Sequence, residues 1–172
     1  MPTFSHPSNK KKIINDPVYG FIAVPDELIF DVLEHPYMQR LRRIMQLGLS
    51  HLVYPGALHT RFHHVLGAMH LMSLAIATIR RKGHEITIDE ERAVLLAILL
   101  HDIGHGPFSH ALEYDIVSDV SHEDISGYFI ERLTDVFGDD LKRAHLIFKN
   151  EYSKPFLYHS KFRHSIFHNQ NR

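Results

Sequence analysis

The chain has 172 residues, 44% of them apolar, with 19 Lys and Arg against 20 Asp and Glu and a net charge of −1. That length and apolar share fit one domain around one core. The near-neutral balance excludes recruitment of nucleic acid by a global field, so an anionic ligand has to be held by a local cluster. The absence of cysteine excludes disulfides and thiolate metal ligands. No apolar run of the roughly 20 residues needed to span a bilayer stands out, nor does a signal-peptide core. A cytoplasmic protein with no membrane and no nucleic-acid partner is expected.

Residues 1–12 are polar, with Pro2, Pro7 and a run of three lysines, and read as a flexible lead-in. From Ile13 to Val24, β-branched and aromatic residues flank Asp16-Pro17 and Gly20, the pattern of a short hairpin. Pro25-Asp26 opens a helix through Glu34, with Leu28, Ile29, Val32 and Leu33 on one face, and His35-Pro36 interrupts it. A second helix is predicted from Tyr37, carrying Met38, Leu41, Ile44, Met45 and Leu47 at helical spacing, with Arg40, Arg42 and Arg43 largely on the solvated side. Ser50 to Thr60, with Tyr54-Pro55-Gly56, is a loop. A long helix follows from Arg61 to about Lys82, apolar over much of its circumference and therefore expected to be buried and central.

Thr87-Ile88-Asp89-Glu90 has the spacing of a capping box. It starts a helix whose stretch Ala93 to Leu100 is almost wholly apolar. Ser121 caps the next helix, from His122 to Phe137, which Gly138 stops. Asp139-Asp140 opens a last one with Leu141, Ala144, Ile147 and Phe148. The elements together predict an all-α bundle with a short N-terminal β-hairpin.

Chemistry concentrates in the stretch Ala97 to His110. An apolar helix ends in the adjacent pair His101-Asp102, and Gly104, Gly106 and Pro107 break it while presenting His105 and His110. Of the 16 histidines, ten lie between His51 and His122. Imidazole beside carboxylate suits a divalent metal, and neighbouring histidines can move protons near neutral pH. Adjacent helical residues point about 100° apart, so His101 and Asp102 share an ion only at the helix edge, and a third ligand has to come from another helix. On that other long helix Arg61 and His64 are three residues apart and share a face, so a guanidinium and an imidazole can converge near one pocket.

The order His64, then His101-Asp102, resembles the HD-domain metal-dependent phosphohydrolases. Asn15 to Gly20, Gln39 to Gly48, Tyr54 to Ala57, Arg61 to His64 and His101 to His110 resemble their deoxynucleoside triphosphate triphosphohydrolase branch. The likeness runs from about Lys12 to Leu157, and so the HD domain is placed at 13–157. It implies an HD-type helical bundle with a divalent metal on His64, His101 and Asp102. That ion would be iron, manganese, zinc or nickel, with magnesium a further candidate. It also implies a nucleotide substrate and assembly as a homo-oligomer, dimer or tetramer.

By the same resemblance, Gln46 and Leu47 contact the sugar, the leucine restricting its 2′ position, and Arg61 neutralises phosphate charge. His105, His110 and Glu113, where the family has aspartate, lie against the phosphates and the attacking water. Either His105 or His110 protonates the leaving oxygen. His122 contacts phosphate or is only a first-turn histidine after its Ser cap. His63 is expected to point elsewhere.

The pattern departs near residue 158. Family members continue into a helix bearing a fourth ligand, an aspartate, whereas no acidic residue follows Glu151. Residues 158–172 read as an atypical tail, and the HD domain as incomplete at its C-terminal side, or truncated. Three functions therefore follow: hydrolysis of deoxynucleoside triphosphates, an inactive remnant that binds metal or nucleotide without turnover, and an HD phosphohydrolase of nucleoside monophosphates or cyclic dinucleotides.

Overall fold

A computed structural model describes residues 12–108 and 121–152. Residues 1–11 of the lead-in, the 158–172 tail, His110 and Glu113 lie outside these residues. Among those described, the only sheet is the antiparallel hairpin of β1 (Ile13–Asp16) and β2 (Gly20–Ala23), with Ile14 opposite Ile22. Its turn is held by Asp16, whose Oδ1 accepts from the Val18 and Tyr19 amides at 2.8 and 2.9 Å. Ile22 turns inward and is fully buried.

Helix α1 (Glu27–Glu34) is capped by Asp26 and buries Ile29, Phe30, Val32 and Leu33. The other oxygen of Asp26 takes Arg92 Nη2 at 2.8 Å, tying α1 to the helix that leads into the histidine-aspartate pair. His35 and Pro36 start a new turn: Pro36 is the first residue of α2 (Pro36–Gln39), and His35 Nδ1 accepts from the Tyr37 amide.

The long helix predicted from Tyr37 does not form. After α2 the chain tightens into a 3₁₀ turn over Arg40–Arg43, and Ile44 is extended. A 3₁₀ turn repeats every three residues, so the apolar spacing of Met38, Leu41 and Ile44 suits it as well as an α-helix. The extended backbone lets the Ile44 carbonyl accept from the Arg61 amide at 2.9 Å and Met45 pair with Thr60. A second 3₁₀ turn covers Gly48–Leu52.

Helix α3 (Arg61–Arg81) has 21 residues and buries Arg61, Phe62, Val65, Leu66, Gly67, Met69 and Ile76. Leu71 and Leu74 are exposed, so the helix is not buried all round as its composition suggested. By length and composition alone it could cross a membrane, which corrects the reading that no such run exists. Its packing on α4 and β2 and its buried Arg61 are features of a core helix. Helix α4 (Ile88–Leu100) starts at the Thr87–Glu90 capping box and buries everything from Leu95 to Leu100. Helices α5 (His122–Phe137) and α6 (Asp139–Phe148) meet at Gly138, whose φ of +79° suits glycine. Helix α6 packs against both α4 and α5. The bundle thus delivers the end of α4 between the start of α3 and the start of α5.

Candidate metal centre

Leu100 is the last residue of α4, and His101 to Gly104 form a turn immediately beyond it. His101, the C-cap, keeps helical dihedrals at φ −57° and ψ −33°, and Asp102 follows it in the turn. His64, one turn into α3, faces them. His64 Nε2 stands 3.3 Å from His101 Nε2 and 3.7 Å from Asp102 Oδ2, and His101 Nε2 lies 3.3 Å from Asp102 Oδ1. The three ligand atoms lie within 4.8 Å of one another. Ligands about 2.1 Å from a tetrahedral ion stand roughly 3.4 Å apart, so the spacing fits a single divalent cation.

The protonation pattern also fits. His101 Nδ1 is 2.6 Å from the Ile98 carbonyl. A carbonyl only accepts, so Nδ1 carries the proton and Nε2 presents its lone pair to His64 and Asp102. Burial, then the neighbouring His101, lowers the His64 pKa, with Asp102 opposing, which favours the neutral imidazole that metals bind. For Asp102, burial pushes the carboxyl up. His101, Arg61, His105 and His64 together outweigh it and hold the carboxyl below its ordinary value, so the group is anionic. The Asp102 side chain is 3% exposed while those of His101 and His64 are 19% and 36% exposed, so the cluster opens to solvent on its histidine side.

Arg61 turns its side chain onto Asp102. Its guanidinium is buried, and Nη1 donates to Asp102 Oδ2 at 2.6 Å. His105 is also buried, with Nε2 3.6 Å from Asp102 Oδ1, and its ring stacks on His122 at 3.9 Å between centroids. His122 is half-buried beside the Ser121–Asp124 capping box. His63 does point elsewhere, completing a capping box with Thr60. Gln46 is half-buried and Leu47 exposed. Their segment meets the histidine-rich turn through Gly48, where a Cβ would come within 2.7 Å of the Phe108 carbonyl oxygen.

Two residues escaped the sequence reading. Arg40, grouped with the solvated Arg42 and Arg43, reaches instead into the turn after α4 and donates to the Ile103 and His105 carbonyls. Ser126, fully buried in α5, bonds the same turn through Gly104 and His101. No local signal separates Arg40 from its neighbours. For Ser126 the signal was a small hydroxyl beside the apolar positions Ile125, Phe129 and Ile130.

Residues 61–164 match the HD-domain family. The chain belongs to that family. Among its relatives, an uncharacterized protein of Bacillus subtilis is 40% identical over 118 residues, covering 69% of this chain and 27% of that protein. The human deoxynucleoside triphosphate triphosphohydrolase SAMHD1 is 41% identical over 104 residues, covering 59% of this chain and 16% of that protein. The crystal structure of a phosphohydrolase from Bacteroides thetaiotaomicron superposes with a TM-score of 0.82 at 57% identity, covering 86% of this chain and 37% of that one. This HD-domain chain thus spans little more than a third of the solved relative and less of the curated ones.

Proposed function

We propose that this HD-domain chain is a metal-dependent phosphohydrolase acting on deoxynucleoside triphosphates. The observation that carries the metal reading is the convergence of His64, His101 and Asp102, with the His101 tautomer fixed by the Ile98 carbonyl. The substrate class is supported by the named activity of the human relative and by the Gln46-Leu47 segment against the histidine-rich turn.

His64, His101 and Asp102 would hold a divalent ion, which when bound would supply Lewis acidity to a water and to a phosphoryl oxygen. Asp102 brings the negative charge that opposes the ion, and Arg61 fixes the orientation of that carboxylate. Water adds to the α-phosphorus, the bond from that phosphorus to the sugar's 5′-oxygen breaks, and a proton from His105 or His110 goes to the leaving oxygen. The products are deoxynucleoside and triphosphate. His105, 3.6 Å from Asp102 and stacked on His122, is proposed with His122 to meet phosphate charge, a role proposed also for Glu113. Assembly as a dimer or tetramer is part of this reading, supported by exposed apolar side chains such as Leu49, Leu52 and Val53 before α3.

The test is a hydrolysis screen of the purified chain with added Mn²⁺ against deoxynucleoside triphosphates, nucleoside monophosphates and cyclic dinucleotides. Triphosphate release is expected. Turnover confined to monophosphates or cyclic dinucleotides would overturn the substrate assignment, and bound metal without any turnover would favour a binding domain.

A further inference from the structure

The turn that carries His101, Asp102 and His105 has almost no regular secondary structure to hold it, so the partners of its backbone groups decide its shape. Two of its bonds are internal. The Ile103 amide donates to the Leu100 carbonyl at 3.0 Å, and the His105 amide to the Asp102 carbonyl at 3.2 Å. Four further bonds come from two side chains on distant elements. Arg40, in the 3₁₀ turn before α3, donates Nη1 to the His105 carbonyl at 2.8 Å and Nη2 to the Ile103 carbonyl. Ser126, in α5, accepts from the Gly104 amide at 2.8 Å and donates to the His101 carbonyl at 3.1 Å.

We infer that Arg40 and Ser126 together form a two-sided clamp that sets the geometry of the metal-binding turn, and that they are positioning residues for it. The inference rests on the metal-site reading above. Each arm takes alternate groups of the backbone, carbonyls 103 and 105 on one side and carbonyl 101 with amide 104 on the other. A rotation of the turn that swung Asp102 or His105 away from His64 would break bonds on both sides at once. The guanidinium fork suits this task because two parallel donors reach two carbonyls two residues apart. Its centre also lies 4.8 Å over the Phe129 ring of α5, so the Arg40 arm and the helix bearing Ser126 are seated on one another.

The test titrates Zn²⁺ alone into the purified chain, in competition with a chromogenic chelator, for the parent, Arg40→Met, Arg40→Lys and Ser126→Ala, with circular dichroism of each metal-free chain alongside. Outer-shell partners of metal ligands are typically worth about 10- to 100-fold in affinity. Arg40→Met and Ser126→Ala should each weaken Zn²⁺ binding by about that factor in a folded chain, and Arg40→Lys, with one donor group in place of a fork, should fall between Met and the parent. A merely structural role would lower melting temperature without this ordering in Kd. Unchanged Kd in folded Arg40→Met and Ser126→Ala overturns the inference, as does unfolding of both, which would make the contacts elements of folding. A parent chain that binds no Zn²⁺ overturns the metal-site reading itself and the clamp with it.

Discussion

Arg61 and Asp102 form a buried ion pair at 2.6 Å, with side chains 2% and 3% exposed. Removing one member of such a pair leaves the other charge buried and uncompensated, at a cost of about 3–5 kcal/mol. Arg61→Ala and Asp102→Ala should both show that loss in urea melts, whereas His101→Ala, at the solvent edge, should cost much less. Asp102→Asn keeps the shape and is the better probe of the metal site. His64, His101 and Asp102 were legible because metal chemistry restricts residue type and order. The partner of Arg61 was not, since a helix face is readable from spacing but the residue it meets 41 positions later is not.

A second titrating residue lies away from the site. Burial, then Lys149, lowers the His145 pKa, with Glu131 and Glu151 opposing. Its folded value therefore lies below the ordinary imidazole value near 6.5. The neutral form is favoured in the fold, so this contribution to stability is complete above about pH 6.5 and is lost as pH falls through the folded value. Chemical unfolding measured between about pH 7 and pH 5 should show a steeper decline for the parent than for His145→Leu. Equal slopes would remove His145 from the account.

At the scale of elements, caps were the dependable signals. Asp26, Thr87 and Ser121 each start a helix where their side chains promised one, because a short polar side chain satisfies amides that the first turn leaves unpaired. The failure was the helix drawn through Ile44. There the chain spends Ile44, Met45 and Gln46 on backbone bonds to residues 59–61, which orient the start of α3 and hence Arg61 and His64. Long-range backbone pairing of that kind leaves no mark in local periodicity.

The contact between the turn and α5 was equally hidden. It depends on Gly104, where an added Cβ would lie 2.2 Å from the His122 carbonyl oxygen and 2.4 Å from the Ser126 amide nitrogen. Both obstacles are backbone, so α5 itself has to move. Gly104→Ala should cost at least about 1–3 kcal/mol, the usual penalty of overpacking, and weaken metal binding together with stability. A variant with parental melting temperature and metal affinity would show that α5 does not brace the turn.

For the molecule as a whole, composition indicated a single core and the apolar helices supplied it, from Ile22 in the hairpin to Ala144 in α6. Net charge is near neutral, and the fold gathers His64, His101, Asp102, Arg61, His105 and His122 at one end of α4. The apolar circumference of α3 misled about burial because hydropathy says which face avoids water but not whether this stretch of chain covers it. Leu71 and Leu74 are about half exposed, at 49% and 51%.

The proposed chemistry depends on whether that end of α4 holds a metal ion. Elemental analysis by mass spectrometry of the purified parent, His101→Ala and Asp102→Asn, each confirmed folded by circular dichroism, tests it most directly. The geometry predicts a stoichiometric divalent ion in the parent and its loss from both variants. No metal in the parent after exposure to Mn²⁺, Fe²⁺ and Zn²⁺, or full retention in both variants, would contradict it.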